Sequence, residues 1–480
     1  MAEKQVSKVR LFIENFLVYG FGGIISKLVP LLMLPVVTRL MPGTEYFGLS
    51  DMSNTILSFG SAIAVIGMYD AMYRMFFEKD DEQYKREICS TTFAFTVTMS
   101  IVVCILMIIG KDLIARLFFK DSKYAFLVYI TAVTTLVSAT NSIISAPTRM
   151  QNKRKIFLVT NTVSPILSYS VSIPLILKGH YIIALPLAAL IAGVSMEMVF
   201  WILNKKWFDI KNIKKVYLKP LLIIALPLFP NFLIYWIFNS SDKVMITNIL
   251  NVGEAGVYSV GSKLGHASQL IYTAFAGGWQ FFAFSTMKED NQVESNSKIF
   301  EYLGIISFVC TSFVCVFSNI FFKIVFPEQY LSGYIIAPYL FLAPLLQMLF
   351  QVAANQFIVV KKTWPNMFIL MTGALINVIL NLTLIPSIGI EGASIATLTG
   401  YAISDIICVI VLCKMKLMVM PLRFIIAALS MGVFFCIWRF LIPENIILGL
   451  IAAVVLVLIF TALYFNDLKL ILNRIKKKKA

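Results

Sequence analysis

The chain has 480 residues, 59% of them hydrophobic and only 14% charged, with a formal net charge of +16. A soluble domain is about one quarter charged, so this composition, with a mean hydropathy of +0.84, excludes a chain of water-soluble domains. Apolar runs of about 20 residues match a bilayer core about 30 Å thick, and inside lipid they must be helices that satisfy their own backbone groups.

In chain order, Lys4, Lys8 and Arg10 precede the first apolar run with no cleavage site after them, as expected of an uncleaved anchor. The predicted spans are 14–38, 47–69, 89–110, 124–146, 156–177, 181–204, 220–240, 254–285, 299–326, 330–360, 365–386, 390–413, 421–441 and 445–466, fourteen in all. With the N-terminus inside, thirty of the 41 basic residues fall on inside segments and nine outside, while Lys27 and Lys263 fall within spans. That bias predicts an even number of spans with both termini cytoplasmic. One loop departs from it: 111–123 places Lys111, Arg116, Lys120 and Lys123 outside.

The positive charge is therefore a row of membrane anchors rather than a nucleic-acid surface, and Lys476–Lys479 suits anionic lipid. The seven cysteines lie mostly in apolar runs at spacings that fit no metal motif, and read as packing residues. No cofactor motif is present. Gly256-x4-Gly261-Ser262-Lys263 approaches a phosphate-binding loop, but it lacks the adjacent Lys-Ser/Thr and falls in a predicted span. An enzymatic role is not expected.

The chain also resembles itself. Shifted by 208 residues, Lys153-Arg154 falls on Lys361-Lys362, Glu197 on Asp405 and Lys206 on Lys414; shifted by 209, Thr38 falls on Thr247 and Glu45 on Glu254. This predicts an all-α polytopic membrane protein of two six-helix lobes around a central cleft, plus two C-terminal helices. The first lobe is 11–204 (spans 1–6), a basic cytoplasmic linker is 205–219, and the second lobe is 220–413 (spans 7–12). Spans 13–14 occupy 421–466, and a basic cytoplasmic tail occupies 467–480.

Three stretches carry a family resemblance. The first is Leu34-Pro35-Val36-Val37-Thr38-Arg39-Leu40 followed by Glu45-Tyr46-Phe47-Gly48. The second is Asp242-Lys243-Val244-Met245-Ile246 followed by Glu254-Ala255-Gly256-Val257-Tyr258-Ser259. The third runs from Asn377 and Asn381 through Ile385-Pro386, Gly389-Ile390 and Gly392-Ala393 to Ala396-Thr397, joining two helices across a tight turn. Together they resemble the polysaccharide-exporter branch of the MOP superfamily, the Wzx-type flippases. That resemblance implies alternating access in which an undecaprenyl-diphosphate-linked oligosaccharide turns from the inner to the outer leaflet of the bacterial cytoplasmic membrane, for O-antigen or capsule-like polysaccharide. It also implies a glycan polymerase and glycosyltransferases as partners of a monomer.

Charged groups inside the membrane are costly and usually functional. Lys27 and Lys263 are the candidate diphosphate ligands, with His266 three residues after Lys263 on the same helical face; the plainer reading is snorkelling or packing. Asp70 and Arg74, one turn apart, are a candidate gate or a structural pair. Asp242 is a further gate candidate, or caps the segment after Ser240-Ser241. Glu197 and Asp405, related by the repeat, are candidate ion-coupling carboxylates, or interfacial groups near helix ends. Breaks are expected at Gly20, Gly22, Gly23 and Pro30 in span 1, and at Pro227 and Pro230 in span 7. Trp279, Phe281, Phe282 and Phe284 are expected to face lipid. Competing functions are a small-molecule or multidrug antiporter of the same superfamily, a lipid II flippase, and a membrane glycosyltransferase. The last lacks its usual large external loop here.

Overall fold

Long runs of apolar helix formers leave the backbone one way to satisfy its polar groups in lipid, and helices result. The computed structural model describes residues 27–273, 275, 279, 283, 289–362, 364–442 and 445–470, and these residues contain no strand. The helices are α1 (27–40), α2 (Thr44–Val65), α3 (Met68–Phe76), α4 (Glu82–Ile109), α5 (Lys111–Phe119), α6 (Ala125–Met150), α7 (Arg154–Leu177) and α8 (Tyr181–Asn204). After a linker come α9 (Leu218–Ala225), α10 (Phe229–Ile249) and α11 (Val252–Gly265). Then follow α12 (Gln292–Val325), α13 (Gly333–Val359), α14 (Trp364–Ile388), α15 (Ile390–Lys414), α16 (Leu422–Cys436) and α17 (Ile446–Leu463).

Among the described residues eleven helices are long and apolar enough to cross a membrane, or twelve if the bent pair α2–α3 is one span. These twelve correspond to twelve of the predicted spans. The other two, 14–38 and 254–285, lie partly outside the described residues, as do Gly20, Gly22, Gly23, Phe281, Phe282 and Phe284. The chain is a multi-pass, all-helical membrane protein.

Two compact units form, one from residues 1–259 with 381–393 and one from 260–380 with 394–480. In the first unit the second span bends by 46° between α2 and α3. The bend is made by two consecutive left-handed residues, Ile66 (φ 46°) and Gly67 (φ 73°). A branched residue such as Ile66 reaches that region only at a cost. The bend lies against the other break in this unit, the 3₁₀ turn Leu226–Leu228 that holds Pro227 between α9 and α10. A Cβ on Gly67 would sit 2.7 Å from the Ala225 carbonyl oxygen. Around this point Met68, Ala71, Met72 and Met75 of α3 pack with Leu221 and Ala225 of α9, Ile88 of α4 and Ile143 of α6 in one buried cluster.

The basic linker joins the same core. The buried side chains of Trp207 and Phe208 enter it. The Ser90 hydroxyl donates to the Trp207 carbonyl (3.2 Å) and accepts from the Asp209 amide (3.0 Å), and the Thr91 hydroxyl accepts from the Lys214 amide (3.0 Å). These bonds fix to α4 a stretch that its charge alone would leave in water.

The segment 111–123 is a short amphipathic helix rather than a loop. Ala115, Phe118 and Phe119 of α5 are buried, and Leu113 and Leu117 are exposed. Its four cations are partly neutralised where they stand: Lys111 meets Asp112 (3.1 Å), Lys123 meets Asp121 (3.0 Å), and Lys120 donates to the Leu250 carbonyl (2.8 Å).

In the second unit a buried carboxylate gathers three helices. Glu301 of α12 pairs with Arg423 of α16 (3.0 Å) and accepts from the Tyr464 hydroxyl just past α17 (3.1 Å). Arg423 also reaches Asp467 (2.8 Å) and lies 4.4 Å from the centroid of the Tyr464 ring. The last two spans are thus tied to α12. The helix turn of the third family-like stretch is as expected, with Gly389 (φ 65°) between α14 and α15. Trp279 departs from expectation: it is buried and stacks on Phe275 (5.5 Å) instead of facing lipid.

Replacing Gly67 by Ala puts a Cβ on a left-handed residue and against the Ala225 carbonyl. Left-handed backbone costs a non-glycine residue about 1–2 kcal/mol, so the purified Gly67→Ala protein is expected to melt several degrees below wild type in the same detergent. Equal melting would show that the bend relaxes freely.

Candidate functional site

Helix α6 carries Thr134, Ser138, Asn141, Ser145 and Thr148 at steps of four and three, which places all five on one face of the helix. Helix α7 repeats the pattern with Phe157, Asn161, Ser164 and Ser168. A polar stripe inside an apolar span faces another helix or a cavity, not lipid. Here both stripes face a chamber of about 610 Å³ inside the first unit, closed by Asn54 of α2 and by Gly193, Met196 and Phe200 of α8. Among the described residues no carboxylate lines it.

Several of these side chains bond back to their own helix. Thr134 donates to the Ile130 carbonyl (2.7 Å), Thr160 to Ile156 (2.8 Å), Ser145 to Ser142 (3.3 Å), and the Asn161 amide to Phe157 (2.8 Å). Such bonding is how Ser and Thr are tolerated in apolar helices. Asn141 Oδ1 is buried with no hydrogen-bond partner among the described residues. Between α6 and α8, Asn204 donates to the Ile144 carbonyl (2.9 Å) and to Thr148 Oγ1 (2.8 Å).

Arg149 follows the α6 stripe and, like Asn54, is an exposed member of the lining, so it stands at the chamber's opening. Its guanidinium lies 5.0 Å from the centroid of the Phe157 ring, and Nη1 donates to the Tyr69 hydroxyl (3.3 Å). An arginine held this way keeps donors free for a bidentate anion.

A second polar cluster joins α2, α10 and α11 within the same unit. Asp51 is buried, and its Oδ2 receives the Lys243 ammonium (2.6 Å) and the Ser259 hydroxyl (2.6 Å). Beside it the Tyr258 hydroxyl donates to Asp242. The backbones of α2 and α11 touch here. A Cβ on Gly48 would overlap the Val252 carbonyl, and one on Gly256 the Thr44 carbonyl. The first and second family-like stretches therefore meet, and Asp51 lies between them.

The residues singled out from the sequence fall as follows. Asp242 does not cap a helix: α10 runs on to Ile249, and the carboxylate is buried mid-helix with Tyr258 as its donor. Asp70 and Arg74 are both exposed on α3, and no ion pair joins them. Glu197 accepts from the Thr140 hydroxyl (2.6 Å) between α8 and α6. Asp405 is buried in the second unit, and neither carboxyl oxygen has a hydrogen-bond partner among the described residues. Lys27 is exposed on α1 in the first unit. Lys263 is exposed and His266 half-buried at the end of α11, in the second unit.

The polar stripes and Asp51 were not picked out from the sequence. The four-three spacing was readable on α6 and α7; the partnership of Asp51 with Lys243 joins distant segments and leaves no local pattern.

A family model described as polysaccharide biosynthesis protein matches residues 36–334, more than half of the chain. The chain belongs to that family. A search of curated protein sequences returns no match. Among solved structures, the chain is similar to the lipid II flippase MurJ in an inward closed conformation, at 15% identity and a TM-score of 0.69, covering 94% of this chain and 99% of that one. It is similar to an inward-facing multidrug resistance MATE family transporter of the MOP superfamily, at 13% identity and a TM-score of 0.64, covering 81% and 94%. A MOP superfamily transporter from Pyrococcus furiosus aligns at 13% identity with a TM-score of 0.60, covering 85% and 95%. The fold is that of the MOP superfamily, and the expected resemblance is met.

Lys243→Met leaves buried Asp51 without its ammonium partner. Breaking such a pair from one side costs about 3–5 kcal/mol, whereas removing both charges is often nearly neutral. The single variant is expected to melt well below wild type, and Asp51→Asn with Lys243→Met to recover most of the loss. A double variant as unstable as the single one would mean that the lysine acts through packing instead.

Proposed function

We propose that this member of the polysaccharide biosynthesis family is a flippase that moves an undecaprenyl-diphosphate-linked oligosaccharide from the inner to the outer leaflet by alternating access. The observation that carries the reading is the chamber between α2, α6, α7 and α8. Its hydroxyls and amides suit sugar, and Arg149 at its opening suits a diphosphate. A multidrug antiporter that takes up cations would be served by carboxylates, and among the described residues none lines this chamber.

On this reading Lys27, Lys263 and His266 are further candidate ligands of the diphosphate. The Asp51–Lys243–Ser259 cluster, with Asp242 beside it, is a gate that opens when the ammonium leaves its carboxylate. Glu197 is a candidate coupling site for a proton or sodium ion. The host membrane is the bacterial cytoplasmic membrane with both termini inside, and the product feeds surface polysaccharide of the O-antigen or capsule type. The protein works as a monomer beside a glycan polymerase and glycosyltransferases. A lipid II flippase would handle the same headgroup chemistry and is the second reading, favoured by the likeness to MurJ.

Gene deletion separates the readings. Loss of surface glycan with intact precursor held on the cytoplasmic leaflet supports oligosaccharide flipping, arrest of cell-wall synthesis supports lipid II, and normal glycan and wall reject both. In the complemented strain Arg149→Ala is expected to lower surface glycan about tenfold or more, as befits a lost hydrogen bond to a charged group. Arg149→Lys should recover part of it, and membrane levels of the protein should not change. Full export by Arg149→Ala would remove the guanidinium from the transport path.

A further inference from the structure

The second unit holds a cavity of a different kind. It measures about 570 Å³ and lies between α12, α13, α15 and α16, walled by side chains such as Phe308, Leu346, Val409 and Phe435. Its rim includes Ile406, Ile425 and Leu429, all exposed on the helix faces that meet lipid. The cavity can therefore be reached sideways from the bilayer.

One lining residue breaks the apolar pattern. Asp405 is only 7% exposed, and both of its oxygens lack a hydrogen-bond partner among the described residues. Asp405 lies nine residues before Lys414 at the end of α15. At about 1.5 Å per residue, that is roughly 14 Å of helix, too deep for the short aspartate to reach a membrane surface. The nearest guanidinium in sequence, Arg423 on α16, is committed to Glu301 and Asp467. Among the described residues no other charged residue lines the space.

A buried carboxyl without donors is costly, a cost that Leu or Ala at this position would avoid. We infer that the cavity around Asp405 is a binding site for a lipophilic ammonium cation, whose apolar body fills the space while its charge pairs with the carboxylate. Charge complementarity selects this occupant over a neutral acyl chain, which would gain nothing from Asp405. A close charge pair out of water contributes far more than one at a surface. The inference concerns a chamber, a unit and a ligand class separate from the proposed glycan path, and does not rest on flipping.

Gly432 gives a means of testing it. It lines the cavity, and a Cβ built there meets nothing within 4 Å, so a larger side chain enters open space. The experiment uses the full chain in nanodiscs of zwitterionic lipid, with radiolabelled 4-phenylbutylamine as probe and 4-phenylbutan-1-ol as its uncharged counterpart. Wild type is expected to bind the amine saturably and more tightly than the alcohol. Asp405→Asn should weaken the amine by about tenfold or more and leave the alcohol unchanged, and Gly432→Phe should abolish saturable binding of both. Absence of saturable amine binding to wild type would overturn the proposal. So would an Asp405→Asn protein that melts like wild type and binds the amine equally well.

Discussion

Inside a bilayer no water is available to take up a polar group that the protein leaves unpaired, and most of this fold is an answer to that constraint. The backbone turns into helix, and hydroxyls within helices bond to carbonyls one turn back, as Thr131, Thr134 and Thr135 do on α6. Two of the buried carboxylates are met by cations: Asp51 by Lys243, Glu301 by Arg423. Each pair adds a hydroxyl, from Ser259 or Tyr464, so that the anion is bonded as well as neutralised. Such pairs are weak sources of net stability but strict about their partners. They fix which helices stand together: α2 with α10 and α11 in one unit, α12 with α16 and the end of α17 in the other.

Much of the fold was legible because apolar length is a strong local signal. Twelve predicted spans match helices, the break at Pro227 falls where proline removes a donor, and Gly389 marks the turn between α14 and α15. The parts that were not legible depend on contacts across the sequence. Nothing local in Ile66-Gly67 announces a 46° bend, since Ile66 is an unusual residue for left-handed backbone. The amphipathic helix α5 was hidden by its charge, because four cations in a short stretch read as loop. Asp242 looked like a cap from its neighbours Ser240 and Ser241, yet its partner Tyr258 comes from the next helix and lets α10 run on.

Glu197 and Asp405 show the limit of reasoning from a repeat. Their positions correspond, and both are acids within spans. Glu197 has a hydroxyl at 2.6 Å and stands beside a helix rich in Ser and Thr. Asp405 stands among leucines and phenylalanines. A correspondence in sequence position does not carry a shared chemistry, which is set by each residue's own neighbours. The stripe of α6 and α7 belongs to the first half alone and gives that half its polar chamber.

The back-bonded hydroxyls have a consequence for that chamber. With the protons of Thr134, Ser145 and Thr160 aimed at carbonyls of their own helices, and the amide of Asn161 likewise engaged, what these groups turn toward the open space is lone pairs. Asn141 adds another bare oxygen. Those groups present acceptors to the space, while the hydroxyls of Ser138, Ser164 and Ser168 can donate as well as accept, and the donor-only guanidinium of Arg149 is set apart at the opening. Such a surface suits a guest that brings many O–H groups to the interior and leaves its anion at the threshold.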